Sequence, residues 1–422
     1  MITSTTPMRI ALISYEYPPD TADGGIATYV GQAAAMLAGR GHSVEVFAGS
    51  RERTETRRES GVLVHRLLSA HDGEFSCDAG RLFAECHAAA AFDVLESPEW
   101  RADGAEAIRL VPDIPLVVKL HTPTYLLMQL GLPPVTPWKK FKSIDRPILY
   151  RRINKHLPWL TDLDRYVRSH SQRERDLAHQ ADEVATPSVS LGQILVKKWH
   201  LDPARVVHVP NLYAASEQML AIPTDAVTNR ITFLGRLEVR KGVLDLARAI
   251  PLVLRRHPQA KFRFVGRPLA SPLPGLDMQQ YLERKLARHL ASVEFHGPVS
   301  LPDIPRMLAE TDICVFPSLW ENFPNVCLEA MAAGRGVVGS SAGGMLDMLE
   351  DGKYGLNVPP HRVFALSEAI GSLLTDPARR MALGQAAREK VLSVYTLERI
   401  GALQEDSYRR AIEHRRRLGP RT

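Results

Sequence analysis

Short apolar runs alternate with stretches whose apolar residues recur at helical spacing along nearly the whole chain, the pattern of parallel α/β domains. Arg9-Ile-Ala-Leu-Ile-Ser14 predicts a first strand, followed by a loop rich in Pro, Asp and Gly and a helix over about 26–37 that Gly39 ends. Ser43-Val-Glu-Val-Phe47 predicts the next strand, with more near 62–66, 93–96, 115–120, 183–185 and 205–209. A second series opens at 230–234, continues with a helix near 243–256, and places strands at 261–265, 292–295, 312–316 and 336–339, each followed by a helix-like segment. Residues 211–229 carry no strong period and read as a linker. Residues 122–165 break the rhythm with Pro123, Pro133, Pro134, Pro137, Pro147 and Pro158, and with Trp138, Phe141, Ile144 and Ile148 set among basic residues. They read as an insertion after a strand, at the rim of a cleft between two doubly wound domains.

The length of 422 residues agrees with two domains, and 45% apolar with 24% charged residues is ordinary for a globular protein with a large core. The net charge of +6 invites a nucleic-acid or membrane reading until it is resolved along the chain. Residues 137–175 carry +7 and residues 409–422 carry +5, which leaves −6 for the rest: an acidic body with two basic patches. The stretch about Trp138, Lys139, Lys140 and Lys142 is a candidate basic amphipathic segment for an anionic membrane surface, and the arginine-rich tail reads as a solvated helix end. Cys77, Cys86, Cys314 and Cys327 form no CxxC pair, so neither a zinc site nor a disulfide framework is expected from spacing. The N-terminal apolar run is too short for a signal peptide, and no run approaches the 18 or so apolar residues of a spanning helix. The expected location is cytoplasmic, at most peripheral at the inner membrane face through 137–156.

Several positions carry candidate chemistry. Glu321 falls in the loop after the strand 312–316, Pro324 suits the first turn of the following helix, and Glu329 lies one to two turns inside that helix among apolar residues. A carboxylate there is costly unless paired, so Glu329 either caps a neighbouring loop or accepts hydrogen bonds from a ligand's hydroxyls. Arg236 and Lys241, on a turn between strand and helix closed by Gly242, suit a phosphate, against the alternative of two solvated cations. Asp23-Gly24-Gly25 opens the first helix, where glycines allow a pyrophosphate to approach the helix N-terminus; an ordinary tight turn is the alternative. The absence of G-x-G-x-x-G from this turn argues against a nicotinamide enzyme. His121 ends a strand, where cleft residues cluster, against the alternative of a structural or solvated histidine; the Glu96-Ser-Pro-Glu99 segment ends another, and its carboxylates are candidate acceptor ligands, with a solvated loop as the alternative.

In this order and spacing, the motifs resemble the family-4 retaining glycosyltransferases, over essentially the whole chain and most strongly at 230–360. The resemblance implies the GT-B fold, two Rossmann-like doubly wound α/β domains facing across a cleft. The implied division is an N-terminal domain at 1–211, a nucleotide-sugar domain at 212–395 and a terminal helix at 396–422 crossing back. Glu321 and Glu329 match the E-x7-E signature. By the resemblance, Glu329 binds the nucleotide ribose, and Glu321 with the backbone near Asn322, Phe323 and Asn325 contacts the donor sugar. Arg236 and Lys241 neutralise the diphosphate, Gly24 and Gly25 pack against it, His121 lies near the reacting sugar, and the strand end at Gly297-Pro-Val299 reads the base. Two departures stand out: Asp347 in Ala342-Gly-Gly-Met-Leu-Asp replaces a commoner Glu, and Gly334-Arg-Gly336 replaces Gly-x-Pro.

The activity implied is transfer of a sugar, of hexosyltransferase type, from a nucleoside-diphosphate sugar such as a UDP- or GDP-sugar to a hydroxyl acceptor (a sugar, lipid-linked or natural product). Retention, no metal and no cofactor are implied with it, and no nucleic-acid partner is expected. A nucleotide-sugar epimerase on the same fold and a non-catalytic basic binding protein are the alternatives.

Overall fold

The computed structural model describes residues 6–22, 24–69, 74–131, 158–225, 227–350 and 352–421. Asp23 and the candidate membrane segment 137–156 lie outside the described residues. The chain divides into two compact units. The first comprises 1–185, 198–207 and 405–422, and the second 186–197 and 208–404.

The first unit is built on strands β1 (Arg9–Ser14), β2 (Ser43–Ser50), β3 (Glu55–Glu59), β4 (Val62–Leu68), β5 (Val94–Pro98), β6 (Leu116–Lys119), β7 (Glu183–Thr186) and β8 (Val206–His208), in the order β3-β4-β2-β1-β5-β6-β7-β8. β1 pairs in parallel with both β2 and β5, so the strand order reverses there, and the ends of β1 and β5 flank the crevice in which doubly wound sheets bind ligands. β3 was not expected. Its sequence, Glu-Thr-Arg-Arg-Glu, has no apolar residue because it is a solvated antiparallel edge on β4, where strand alternation leaves no signal.

The second unit carries β9 (Arg230–Leu234), β10 (Lys261–Val265), β11 (Val293–Gly297), β12 (Ile313–Phe316), β13 (Gly336–Ser340) and β14 (Leu356–Val358). Their order, β11-β10-β9-β12-β13-β14, is that of a dinucleotide-binding sheet, with the reversal between β9 and β12. The strands bury continuous runs such as Ile313-Cys-Val-Phe316, as a parallel sheet covered on both faces requires. Helices Val243–Arg256 and Val363–Thr375 close its core through Leu246, Ile250, Ile370 and Leu373.

The chain passes between the units more often than a single division at 211 implies. Helix Val189–Trp199 begins in the second unit because Ser188 Oγ donates to Asn322 Oδ1 at 2.7 Å and the Ser190 N–H to Asp347 Oδ2 at 3.2 Å. The terminal helix Leu397–Leu418 joins the first unit from Glu405 onward, not from 396. There Tyr408 Oη donates to Glu96, Arg410 pairs with Glu183, and Arg415 and Arg421 both pair with Asp182. The arginine tail expected to be solvated is thus partly a docking device.

Asp182 is fully buried, accepts the Leu116 N–H at 2.9 Å and balances Arg415 and Arg421 at 2.7 and 2.6 Å. Removing one partner from a buried ion cluster costs about 3 kcal/mol or more. Asp182→Asn is therefore expected to lower stability by about that amount in chemical denaturation, with the loss read as a shift of the unfolding midpoint.

Candidate active site

In the second unit the turn after β9 and the loop after β12 meet at the sheet's reversal point. Gly242 has φ +74°, and a Cβ there would stand 1.8 Å from the Pro317 carbonyl oxygen, so only glycine lets the two loops touch. The Leu319 N–H donates to the Arg240 carbonyl at 2.8 Å, completing the contact. This brings the cations of one loop onto the carboxylate of the other. Lys241 Nζ lies 2.5 Å and Arg240 Nη1 3.5 Å from Glu321 Oε1, which also accepts from Ser318 Oγ at 3.0 Å. Glu238 links Arg240 at 3.0 Å to Arg236 at 3.3 Å. Three cations stand against two carboxylates, so the cluster keeps one positive charge in excess.

Burial pushes the Glu321 carboxyl up, but the charges of Lys241 and Arg240 and the bonds from Lys241 and Ser318 outweigh it and hold the group below its ordinary range. Burial draws the Lys241 ammonium down, against the opposing charge of Glu321. Arg236 is the exposed member, with 45% of its side chain accessible. Arg240 was not singled out from sequence. Its neighbours Arg236 and Lys241 fit the R-x4-K spacing, whereas Arg240 is recruited by the Glu238 and Glu321 carboxylates.

The helix after Glu321 runs Asn325–Ala332, with Pro324 as its extended cap and not within its first turn as expected. Pro324 supplies no side-chain cap, and among the described residues no side chain takes the N–H groups of Asn325 and Val326. Glu329 projects from its second turn. No hydrogen bond or ion pair to the Glu329 carboxyl occurs among the described residues, and burial alone lifts that carboxyl to about 7. Asn322 and Phe323 are buried; Asn322 holds Ser188, and the Phe323 ring stands edge-on to Tyr395 at 5.4 Å. Val299 is half-buried just beyond β11.

Gly343 and Gly344 pack on the same loop: the Gly344 N–H donates to the Glu321 carbonyl at 2.8 Å, and a Cβ on Gly344 would stand 1.7 Å from the Asn322 oxygen. Asp347, the departure from Glu, caps helix Val189–Trp199 through Ser190. Arg335, the departure from Pro, is buried and donates to the carbonyls of Ala333, Thr311 and Pro223.

In the first unit, Gly24 is the extended cap of helix Gly25–Gly39, and the space a Gly25 Cβ would take is open. No described side chain caps this helix, and its first turn has no acidic residue. His121 follows β6. Its N–H donates to both Glu99 oxygens at 2.9 and 2.8 Å, and its ring stands edge-on to Tyr29 at 5.3 Å. Burial, then the charge of Lys119, lowers the imidazole to about 3, so it is neutral at physiological pH.

Glu96 and Glu99, expected as acceptor ligands, are instead buried on protein partners. Glu96 accepts from Tyr29 and Tyr408 hydroxyls, both at 2.8 Å. Glu99 is spent on the His121 backbone, and burial, then the charge of Glu174, holds its carboxyl well above the usual range. Glu174 in turn accepts the Thr124 N–H at 2.9 Å and its hydroxyl at 2.5 Å. Lys119, brought down to about 8 by burial, lies 4.7 Å over the Tyr29 ring. A buried cation, two buried carboxylates and a neutral histidine thus line the ends of β5 and β6. Apolar strand patterning could have flagged Lys119, the one charge in Leu116-Val-Val-Lys.

Residues 23–214 match the family described as "Glycosyltransferase Family 4", and residues 228–376 match "Glycosyl transferases group 1". The chain is 25% identical to a glycogen synthase of Mycobacterium tuberculosis, over 98% of this chain and 97% of that one. It is 28% identical to a D-inositol 3-phosphate glycosyltransferase of Kineococcus radiotolerans, again over 98% and 97%. Among solved structures, sucrose-phosphate synthase of Thermosynechococcus elongatus superposes with a TM-score of 0.69 at 21% identity, over 96% of this chain and 99% of that one. Anabaena HepE in complex with UDP superposes at 0.68 and 17% identity, over 95% and 99%. At such identities the shared property is the fold.

Glu329 gives the apo protein a pH signature. A carboxyl raised from 4.5 to about 7 favours folding below 4.5, and that contribution is lost as pH rises through about 7. Thermal melts of the nucleotide-free protein are expected to fall more steeply between pH 5 and 8 for the wild type than for Glu329→Gln.

Proposed function

The chain belongs to the family-4 retaining glycosyltransferases, enzymes that move a sugar from a nucleoside-diphosphate sugar to a hydroxyl acceptor, and from that premise we propose how its own residues do so. The observation that carries the reading is the cation-rich cluster Arg236–Glu238–Arg240–Glu321–Lys241 at the reversal point of the second sheet. A diphosphate brings the negative charge that this cluster lacks. Arg236, exposed and paired among the described residues with Glu238 alone at 3.3 Å, can turn its planar fork to the phosphates, with Lys241 as the point charge beside it. Glu329 accepts the ribose hydroxyls, which supply the partners its carboxylate lacks. The base lies at Val299, read by backbone groups, and the sugar against Glu321 and the Asn322–Asn325 backbone. In the first unit, Gly24 and Gly25 leave the N-terminal end of their helix open, and His121 is neutral.

The proposed transfer needs no metal, since the cations and the free helix N–H groups supply the charge that a metal otherwise would. The bond from C1 to the phosphate oxygen breaks as the acceptor oxygen bonds to C1 on the same face, and the acceptor proton passes to the departing phosphate oxygen. Glu321 is not the nucleophile: its Oε1 is engaged by Lys241, Arg240 and Ser318, and an ionised carboxylate so paired is a poor attacker. The acceptor is a hydroxyl-bearing molecule. Family membership sets aside the epimerase and binding-protein alternatives.

Each charge-assisted bond contributes about 1.5–3 kcal/mol, so Lys241→Ala and Glu329→Ala are each expected to weaken nucleotide binding about ten- to a hundredfold and to abolish most transfer. Calorimetric titration with UDP, GDP and ADP tests this, and wild-type affinity in both variants would overturn the assignment. Because the ionised carboxylate accepts more and stronger hydrogen bonds from the ribose hydroxyls than the protonated acid does, nucleotide affinity is also expected to rise with pH through about 7 in the wild type and to stay flat in Glu329→Gln.

A further inference from the structure

Glu45 on β2, His65 on β4 and Cys86 on helix Glu74–Ala89 bring one carboxylate oxygen, one ring nitrogen and one thiol sulfur within 4.8 Å of one another. The three come from separate elements, so no spacing in the sequence marks them. Register explains the meeting. Glu45 pairs with Leu63 and Phe47 with His65, so Glu45 and His65 share one face of the sheet, and Phe83 packs on Phe47 at 5.9 Å one turn before Cys86. Glu45 and His65 are buried and Cys86 half-buried. We propose that these three side chains form a site for a single zinc-like divalent ion, with a water in the fourth position, that ties the helix to the sheet.

The donor set is that of a borderline metal: thiolate sulfur, imidazole nitrogen and carboxylate oxygen suit Zn2+, and none of the harder cations takes a thiolate readily. Tetrahedral zinc with bonds of about 2.0–2.3 Å spaces its donors about 3.3–3.6 Å apart. Glu45 Oε2 and His65 Nε2 already stand at 3.1 Å, and the Cys86 sulfur lies within 4.8 Å of both groups.

The outer partners are in place. Arg9 Nη2 and Nε hold Glu45 Oε1 at 2.6 and 3.1 Å, leaving Oε2 for the ion. Thr56 Oγ lies 2.9 Å from His65 Nδ1, and Phe47 stacks on the ring at 4.7 Å. A ligating histidine donates its second ring N–H to such a group, which fixes its tautomer. Without metal, Nε2–H donates to Glu45 and the Thr56 hydroxyl donates to Nδ1. With metal, the ring proton moves to Nδ1, the Thr56 hydroxyl accepts it, and Nε2 binds the ion. The thiol gives its proton to solvent, so one proton is released per ion and nothing is oxidised or reduced. The site is separate from the transfer machinery: Glu45 pairs with Ala11, whereas Glu96 pairs with Leu12, so strand alternation places Glu45 and Glu96 on opposite faces of the sheet.

Full-length protein, stripped with a chelator and kept reduced, is titrated with Co2+ as an optical probe. The expected result is a thiolate-to-cobalt charge-transfer band that saturates at one equivalent, is displaced by Zn2+, persists in Cys77→Ser and is lost in Cys86→Ser and His65→Gln. Thr56→Val is expected to weaken binding about tenfold or more through the outer partner. Zn2+ is expected to raise the melting temperature of the wild type and not of Cys86→Ser. No band in the wild type, or a band that survives Cys86→Ser, overturns the proposal. The wild-type titration decides the matter even where a variant fails to fold.

Discussion

Glu321 is buried at the end of a parallel strand, and a buried carboxylate costs several kcal/mol unless its charge is met at close range. Lys241 and Arg240 meet it, from a turn that can reach only because the loop after β12 comes within backbone contact of Gly242. Gly344 is held to the same close approach from the other side. Three loops of one sheet are therefore organised about a single charge, and that charge holds Lys241 in place. Holding cations in place beforehand is what makes electrostatic stabilisation of a leaving group effective, because no reorganisation is left to do at the moment of reaction.

The first unit follows another rule. Its residues at the ends of β5 and β6 are held by buried carboxylates, two of which, Glu99 and Glu174, are raised by burial above the usual carboxylate range. Glu99 and Glu174 grip the chain at His121 and Thr124, three positions apart, while Glu96 gathers two tyrosine hydroxyls from separate helices. These carboxylates act on the backbone that carries His121. Glu99 and Glu174 are positioning groups for that backbone, and the place of Glu96 and Glu99 at a strand end made those two look like ligands.

How much of this was legible in the sequence depends on whether the signal was local. Strands with continuous apolar runs, such as Ile313–Phe316, were legible because burial on both faces leaves only one composition; β3 and β14 were not, being an all-polar edge and a three-residue strand. Lys241, Glu321 and Glu329 stood out as charges at fixed spacing beside apolar runs. Arg240 did not, because its role comes from a carboxylate 81 positions away. The roles of Asp347 and Arg335 were equally hidden, since one caps a helix that begins at Val189 and the other ties carbonyls as distant as Pro223. The tail's arginines looked solvated because charge runs usually are, yet Asp182 and Glu183 draw three of them in.

The central claim is that Glu321 serves the donor by holding Lys241. A double-mutant cycle on UDP affinity, measured by calorimetry for the wild type, Lys241→Met, Glu321→Gln and the double variant, tests it most directly. If the two residues act as a unit, the double variant binds UDP little worse than Lys241→Met alone. Losses that simply add would show that Glu321 and Lys241 act independently, and would contradict the account.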